Sequence, residues 1–283
     1  MKIIFDFGAN QGQNLNYFLE KADIVIACEA NTNLVSKIKS DFKEFIDKKK
    51  LIIENIALID DENIKKIDFF VAKGRKSVMS TLYPTNIHNY YRQEVECGKA
   101  STLIKKYLKI FNTSEIEYIK IDIEGADKLV LNDLIKNDIL AKNLSVECND
   151  PEVIEFLLKS KYKFFKFVKG GDSFFKENVE IITKDKKKKF INFDKHSSGP
   201  YGDDIPGSYY DKKSIIPYFL NNGLLWTDVH CSFEKKGNLQ NIQYISRTHL
   251  SGFRYHLINL IPQFIKAVND RFKLLKRKFK KHT

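Results

Sequence analysis

The chain offers no apolar run approaching the ~18 residues that span a bilayer, which excludes a hydrophobic membrane-crossing helix. No signal-peptide pattern opens it, because Met1-Lys2 leads straight into an apolar run that ends in Asp6. Cysteine is scarce, at positions 28, 97, 148 and 231, and no two stand in Cys-x-x-Cys spacing. Cys28 and Cys148 fall in expected core strands and read as buried free thiols. That usage suits a reducing compartment, so a cytoplasmic location is expected, at the inner face of the membrane if the tail described below meets lipid. There is no internal repeat and no nucleic-acid-binding motif, so no nucleic acid is expected as a partner. Acids are absent from residues 271–283, which carry seven Lys or Arg. The net charge is +12 over 283 residues, part of it a general lysine bias without functional meaning. An apolar fraction of 43% is enough for a core, and the length fits one large domain or one domain with a substantial appendage.

What is present starts at once. Residues 2–7 form a short buried strand that runs into a turn holding Gly8 and Gly12, and a helix pattern begins near Gln11. A second apolar strand, residues 24–28, ends in Glu29. The two glycines let backbone approach a ligand at the mouth of a strand-turn-helix unit, and the acid can accept both hydroxyls of a ribose. A nucleoside-bearing cofactor across the carboxyl ends of parallel strands is expected. A dinucleotide fingerprint, G-x-G-x-x-G, needs a middle glycine to admit pyrophosphate; here the spacing is Gly8, Asn10, Gly12. Asp6, two residues before the first glycine, suits a cofactor with an ammonium group and no phosphate, which describes S-adenosylmethionine.

Residues 117–127 read Glu-Tyr-Ile-Lys-Ile-Asp-Ile-Glu-Gly-Ala-Asp. Ile119, Ile121 and Ile123 alternate with Lys120, Asp122 and Glu124, as in a strand, and Gly125 ends it before a helix. A further strand, residues 143–148, carries Glu147 near its end. Acids at the carboxyl ends of neighbouring strands sit where open α/β sheets bind ligands.

The elements Asp6-Phe-Gly-Ala-Asn-Gln-Gly12, Cys28-Glu29-Ala30, Asn55-Ile-Ala57-Leu, Lys120-Ile-Asp-Ile-Glu-Gly-Ala126 and Val146-Glu147 resemble those of the FkbM-type methyltransferases. The Lys-Ile-Asp-Ile-Glu-Gly-Ala string is the most specific of them. The resemblance implies a class I methyltransferase fold, S-adenosylmethionine as cofactor, and O-methylation of a sugar, glycan or related small-molecule hydroxyl. It runs from about residue 1 to residue 185 and leaves residues 186–283 uncovered. The chain also starts directly on the first strand, without the leading residues that often precede it in that family.

Helices are expected at 15–21, 33–48 (with Thr32 as cap), 101–111, 128–136 and 151–159, and further strands at 51–55 and 66–72. Residues 162–168 and 179–183 read as a closing antiparallel pair. The alternation predicts an α/β, Rossmann-like sheet with helices on both faces, plus a C-terminal α-rich extension. The expected domains are a cofactor domain, 1–185, and an extension, 186–283, with substrate-binding loops and a basic terminal helix. From 185 to 207 the chain turns loop-like, with the four-lysine run 186–189, His196, Asp203 and Asp204; this is either a surface linker or part of an acceptor pocket. Leu257, Ile261, Phe264, Val268, Phe272, Leu275 and Phe279 form a helical apolar stripe. With the basic tail, that helix either docks on the core or contacts an anionic membrane.

Methyl transfer is an in-line displacement that rewards positioning, and a sugar hydroxyl calls for a general base or a metal. The candidate catalytic residues are His230, His196 and Asp122. Cofactor contacts are expected from Asp6, Gly8, Asn10, Gly12, Glu29, Asn55, Ala57 and Asp122. Acceptor contacts are expected from Glu124, Glu147, Asp203 and Asp204. Asp122, Glu124 and Glu147 also offer oxygen ligands of the kind that suits Mg²⁺, and base, metal and positioning alone stay open. The alternatives are an NAD- or nucleotide-sugar-binding oxidoreductase, and a non-catalytic basic binding protein.

Overall fold

The computed structural model describes residues 1–74, 80–84, 86–169, 178–194, 196–223, 227–234 and 239–242. The described strands are β1 (Ile3–Phe7), β2 (Ile24–Cys28), β3 (Leu51–Glu54), β4 (Ala57–Leu58), β5 (Lys66–Ala72), β6 (Tyr90–Gly98), β7 (Ile116–Ile121), β8 (Asn143–Glu147), β9 (Phe164–Lys169), β10 (Val179–Ile182), β11 (Lys188–Ile191), β12 (Tyr210–Asp211) and β13 (Thr227–Ser232). The α-helices are α1 (Leu15–Lys21), α2 (Thr32–Asp41), α3 (Lys43–Asp47), α4 (Ala100–Ile110), α5 (Asp127–Lys136), α6 (Pro151–Lys159) and α7 (Ile215–Asn222).

Eight strands make one sheet in the order β12-β9-β13-β8-β7-β1-β2-β3. β1 runs parallel to β2 and β7, β7 to β8 and β2 to β3. β13 enters between β8 and β9, antiparallel to both. This is the open α/β, Rossmann-like sheet with helices on both faces that the sequence leads one to expect. β1 is buried along its whole length, as a strand covered on both faces must be. Ile3, Phe5 and Phe7 pack with Ile104, Leu131, Leu157 and Phe219 from α4 to α7. Ile4 points the other way and packs with Leu15, Phe18 and Ile38 of α1 and α2, and with Ile181, Phe193 and Tyr201. No helix of the described residues is long and apolar enough to cross a membrane.

Four local expectations change. The run 33–48 is two helices broken at Phe42, and the cap is Asn31, whose side chain accepts the Asn33 N–H. β6 was not expected; it pairs antiparallel with β5 and parallel with β4 in a separate three-stranded sheet. Only Val95 and Cys97 of its nine residues are buried, leaving little apolar alternation to read. β9 and β10 are not partners. β10 closes a local hairpin with β11, which costs little loop entropy. β9, with Phe165 and Val168 buried, takes β13 as its neighbour.

That insertion also moves the boundary expected at 185–186, because residues 227–232 are an interior strand of the sheet that begins at Ile3. Met1–Gln243 pack as one unit. The apolar stripe of 253–279, the basic run 271–283, His249 and His282 lie outside the described residues.

Candidate functional site

At the carboxyl ends of β1, β2 and β7 lies a cleft of about 400 Å³, within the usual range for small-molecule sites. The turn after β1 forms its floor. Gly8 has φ +90°, and a Cβ there would sit 1.8 Å from the Asp122 carbonyl oxygen. Only glycine lets the first turn meet the end of β7 this closely. Gly12, at φ +81°, does not line the cleft; a Cβ there would press on Leu15 and Phe42, so it serves helix packing instead.

Glu29, at the tip of β2, is buried and faces the cleft. The Asn10 N–H donates to its Oε2 and the Asn31 N–H to its Oε1, each at 2.8 Å. Burial raises this carboxyl to about 7 against the pull of those two amides. Both oxygens keep a free lone-pair direction, the geometry needed to accept a pair of ligand hydroxyls. Asn55 stands behind the wall rather than in it: its Nδ2 donates to the Glu29 and Ala30 carbonyls at 2.9 and 3.0 Å. Ile56, Ala57, Leu58, Phe69 and Leu82 make the adjoining wall apolar.

Asp6 is 1% exposed and lies beneath the turn, outside the cleft lining. Lys120, itself buried, reaches it at 3.3 Å, reaches Asp122 Oδ2 at 3.2 Å and donates to the Gly8 carbonyl at 2.9 Å. Lys120 thus fastens the β1 turn to the end of β7. Sequence reading missed it, although it is the one cation in the acidic alternation Lys120, Asp122, Glu124. Ser198 donates to the same Asp122 oxygen at 3.2 Å. It belongs to a segment that carries His196 into the cleft lining and joins Ser197 to Asn14 of the first turn.

Opposite the apolar wall, acids gather. Asp122, Glu124 and Glu147 line the cleft, with carboxyl oxygens all within 4.8 Å of one another. Burial, then the charges of Asp122 and Asp127, raise Glu124 to about 7. Burial, then its acidic neighbours, raise Glu147 to about 9. Asp127 and Asp228, neither singled out from sequence, complete the group. Asp127 accepts the Ile123 and Gly125 N–H groups at 3.0 and 3.1 Å and so shapes the 122–126 loop. Asp228 stands across from Glu147, and burial raises it to about 7.

The remaining expected residues lie elsewhere. His230 pairs with Ser145 of β8 and Lys166 of β9 in mid-sheet, 3% exposed, and neither ring nitrogen has a partner among the described residues. Burial, with the Lys166 charge, lowers it to about 3. A base must reach its proton, and His230 does not line the cleft, so the catalytic assignment is corrected. Asp204 accepts from Tyr17 and Lys21 at 2.8 and 2.7 Å on the α1 side, and Asp203 faces the Tyr209 hydroxyl. Neither lines the cleft, which corrects their assignment to the acceptor.

A family model described as Methyltransferase FkbM domain matches residues 6–185. Among solved structures, the chain is similar to methyltransferase FkbM from Methylobacillus flagellatus KT, at 10% identity and TM-score 0.38, over 59% of this chain and 40% of that one. It is also similar to precorrin-6y C5,15-methyltransferase from Geobacter metallireducens GS-15, at 9% identity and TM-score 0.30, over 81% of this chain and 78% of that one. No curated protein matches the chain.

Proposed function

Since the chain belongs to the FkbM methyltransferase family, its domain model matching residues 6–185, we propose that it transfers a methyl group from S-adenosylmethionine to a hydroxyl of a sugar, glycan or related small-molecule acceptor. The observation that carries the cofactor is Glu29, a buried carboxyl aimed into the cleft by the Asn10 and Asn31 amides. The residues fit the group. Glu29 takes the ribose hydroxyls, the Gly8–Asn10 turn takes the methionine portion, and Ile56, Ala57 and Leu58 border the adenine. When bound, the cofactor supplies an electrophilic methyl on a sulfonium.

The acceptor lies on the acidic side, where Glu124 and Glu147 hold its hydroxyls. Asp122 takes the proton from the reacting hydroxyl. Lys120 and Ser198 both engage its Oδ2, which leaves Oδ1 to face the acceptor. His196, also in the lining, is the alternative base. The cleft walls orient the acceptor and exclude water, and that positioning supplies much of the rate. The four buried, unpaired cysteines support a cytoplasmic setting.

A second reading of the acids is favoured by their spacing. Asp122, Glu124 and Glu147 would hold a Mg²⁺ ion, which would supply Lewis-acid activation of the hydroxyl.

Calorimetry of the full chain tests the cofactor. Heat with S-adenosylmethionine and none with NAD is expected, and the reverse would make the protein an oxidoreductase. Once an acceptor is found, loss of turnover with EDTA and recovery with Mg²⁺ would favour the metal over Asp122 acting alone.

A further inference from the structure

At the other end of the strands, a second cavity of about 460 Å³ lies between α1, α3, Lys50 and the β10–β11 hairpin. Its walls join aromatic and aliphatic side chains, Phe45, Phe190 and Leu19, to the cations Lys50, Lys184 and Lys189 and to the acids Glu20 and Asp185. Lys50 immediately precedes β3 and Asp23 immediately precedes β2, so this end faces away from the cleft at the strand carboxyl ends.

The hairpin beside the cavity shows an unusual outer surface. Its inner face buries Val179 and Ile181 against the core. The alternate residues Ile182 and Phe190 point outward, 42% and 62% exposed. The segment between them, the turn and the start of β11, runs Thr183-Lys184-Asp185-Lys186-Lys187-Lys188-Lys189. Lys184, Lys188 and Lys189 are paired with Asp23, Glu180 and Glu20. Among the described residues, Lys50, Lys186 and Lys187 have no acidic partner, and all three are exposed.

We propose that this face docks on an anionic lipid bilayer, with Phe190 and Ile182 entering the headgroup boundary and the Lys50 cavity receiving a lipid phosphate. Charge complementarity names the occupant. Six lysines, at 50, 184 and 186–189, against four acids, Glu20, Asp23, Glu180 and Asp185, leave the face around Phe190 and Ile182 net positive, the combination that binds acidic interfaces. A protein partner would find those lysines costly to desolvate, whereas a bilayer surface leaves them hydrated against phosphate. Docking at this end leaves the cleft open to solvent. None of the residues named here belongs to the basic run 271–283, and the inference does not rest on the proposed methyl transfer.

The test uses the full chain and co-sedimentation with vesicles of phosphatidylcholine, alone or with about 30% phosphatidylglycerol, between about 0.1 and 0.5 M salt. Binding to the anionic vesicles alone, fading as salt rises, is expected. Phe190→Ser and the double variant Lys50→Glu/Lys187→Glu should each weaken it at least tenfold, given roughly fivefold per lysine at the surface. All three positions are exposed, so the variants keep the parent's thermal unfolding curve. The proposal is overturned if the parent ignores anionic vesicles at low salt, or if both variants bind like the parent, in which case the tail carries the contact. Full competition by millimolar inorganic phosphate would also overturn it, making the cavity a free-anion site.

Discussion

Removing the charge of Lys120 should cost more stability than any other single change near the cleft. Its ammonium sits within 3.3 Å of Asp6 and 3.2 Å of Asp122 and donates to the Gly8 carbonyl at 2.9 Å. Lys120→Met keeps the length and removes the cation. Asp122 is partly exposed and can turn to water, but Asp6, 1% exposed, is left uncompensated. Breaking a buried pair in this way costs about 3–5 kcal/mol, a fall in Tm of roughly 6–20 °C for a unit of this size. The pH dependence follows from Asp6, whose carboxyl burial already raises while Lys120 holds it down. Without Lys120 it rises further. A carboxyl that holds its proton to higher pH in the folded state than in the unfolded one loses stability as pH climbs through that window. The deficit of Lys120→Met should therefore shrink toward pH 5 and grow toward pH 8, and adding Asp6→Asn should recover much of it. Urea unfolding across that range is the assay. A variant within about 1 kcal/mol of the parent, or a deficit that deepens on acidification, would refute the reasoning.

Gly8→Ala combines a left-handed φ with a Cβ placed 1.8 Å from a carbonyl oxygen; a loss of at least roughly 2 kcal/mol is expected in denaturant titration. Glu29→Gln should weaken S-adenosylmethionine binding by about 1–3 kcal/mol in calorimetry. Because Glu29 is raised to about 7, the parent's affinity should fall as pH drops below that value, while the Gln variant's stays flat. His230→Leu should leave cofactor binding intact. Since folding lowers His230 to about 3, the parent loses stability as pH falls below the unfolded value of about 6.5. The Leu variant should lose less between pH 6.5 and 4 in thermal scans, and an unchanged acid profile would count against the unpartnered burial of this ring.

The parts of the site legible in sequence are those built locally. Gly8 and Glu29 follow from one strand-turn-helix-strand unit, whose geometry is nearly independent of the rest of the chain. What could not be read depends on register between distant segments. Asp228 and His230 share one face of β13, but two residues displace a side chain about 6.6 Å along a strand. Pairing of Asp228 with Glu147 puts the Asp at the acidic mouth and the His in mid-sheet, and no pattern within 227–232 encodes that pairing. The same holds for Lys120, whose partners Asp6 and Gly8 lie more than a hundred residues away. Even β13 as an interior strand was hidden, because Thr-Asp-Val-His-Cys-Ser holds only Val229 and Cys231 as apolar residues and stands in the stretch expected to be an extension.

The most direct test is a crystal structure of the full chain with S-adenosylhomocysteine. The account predicts both ribose hydroxyls on the Glu29 carboxylate, the amino-acid end over the Gly8–Asn10 turn, and adenine against Ile56, Ala57 and Leu58. Adenine bound away from that wall, or a ribose that does not touch Glu29, would contradict it.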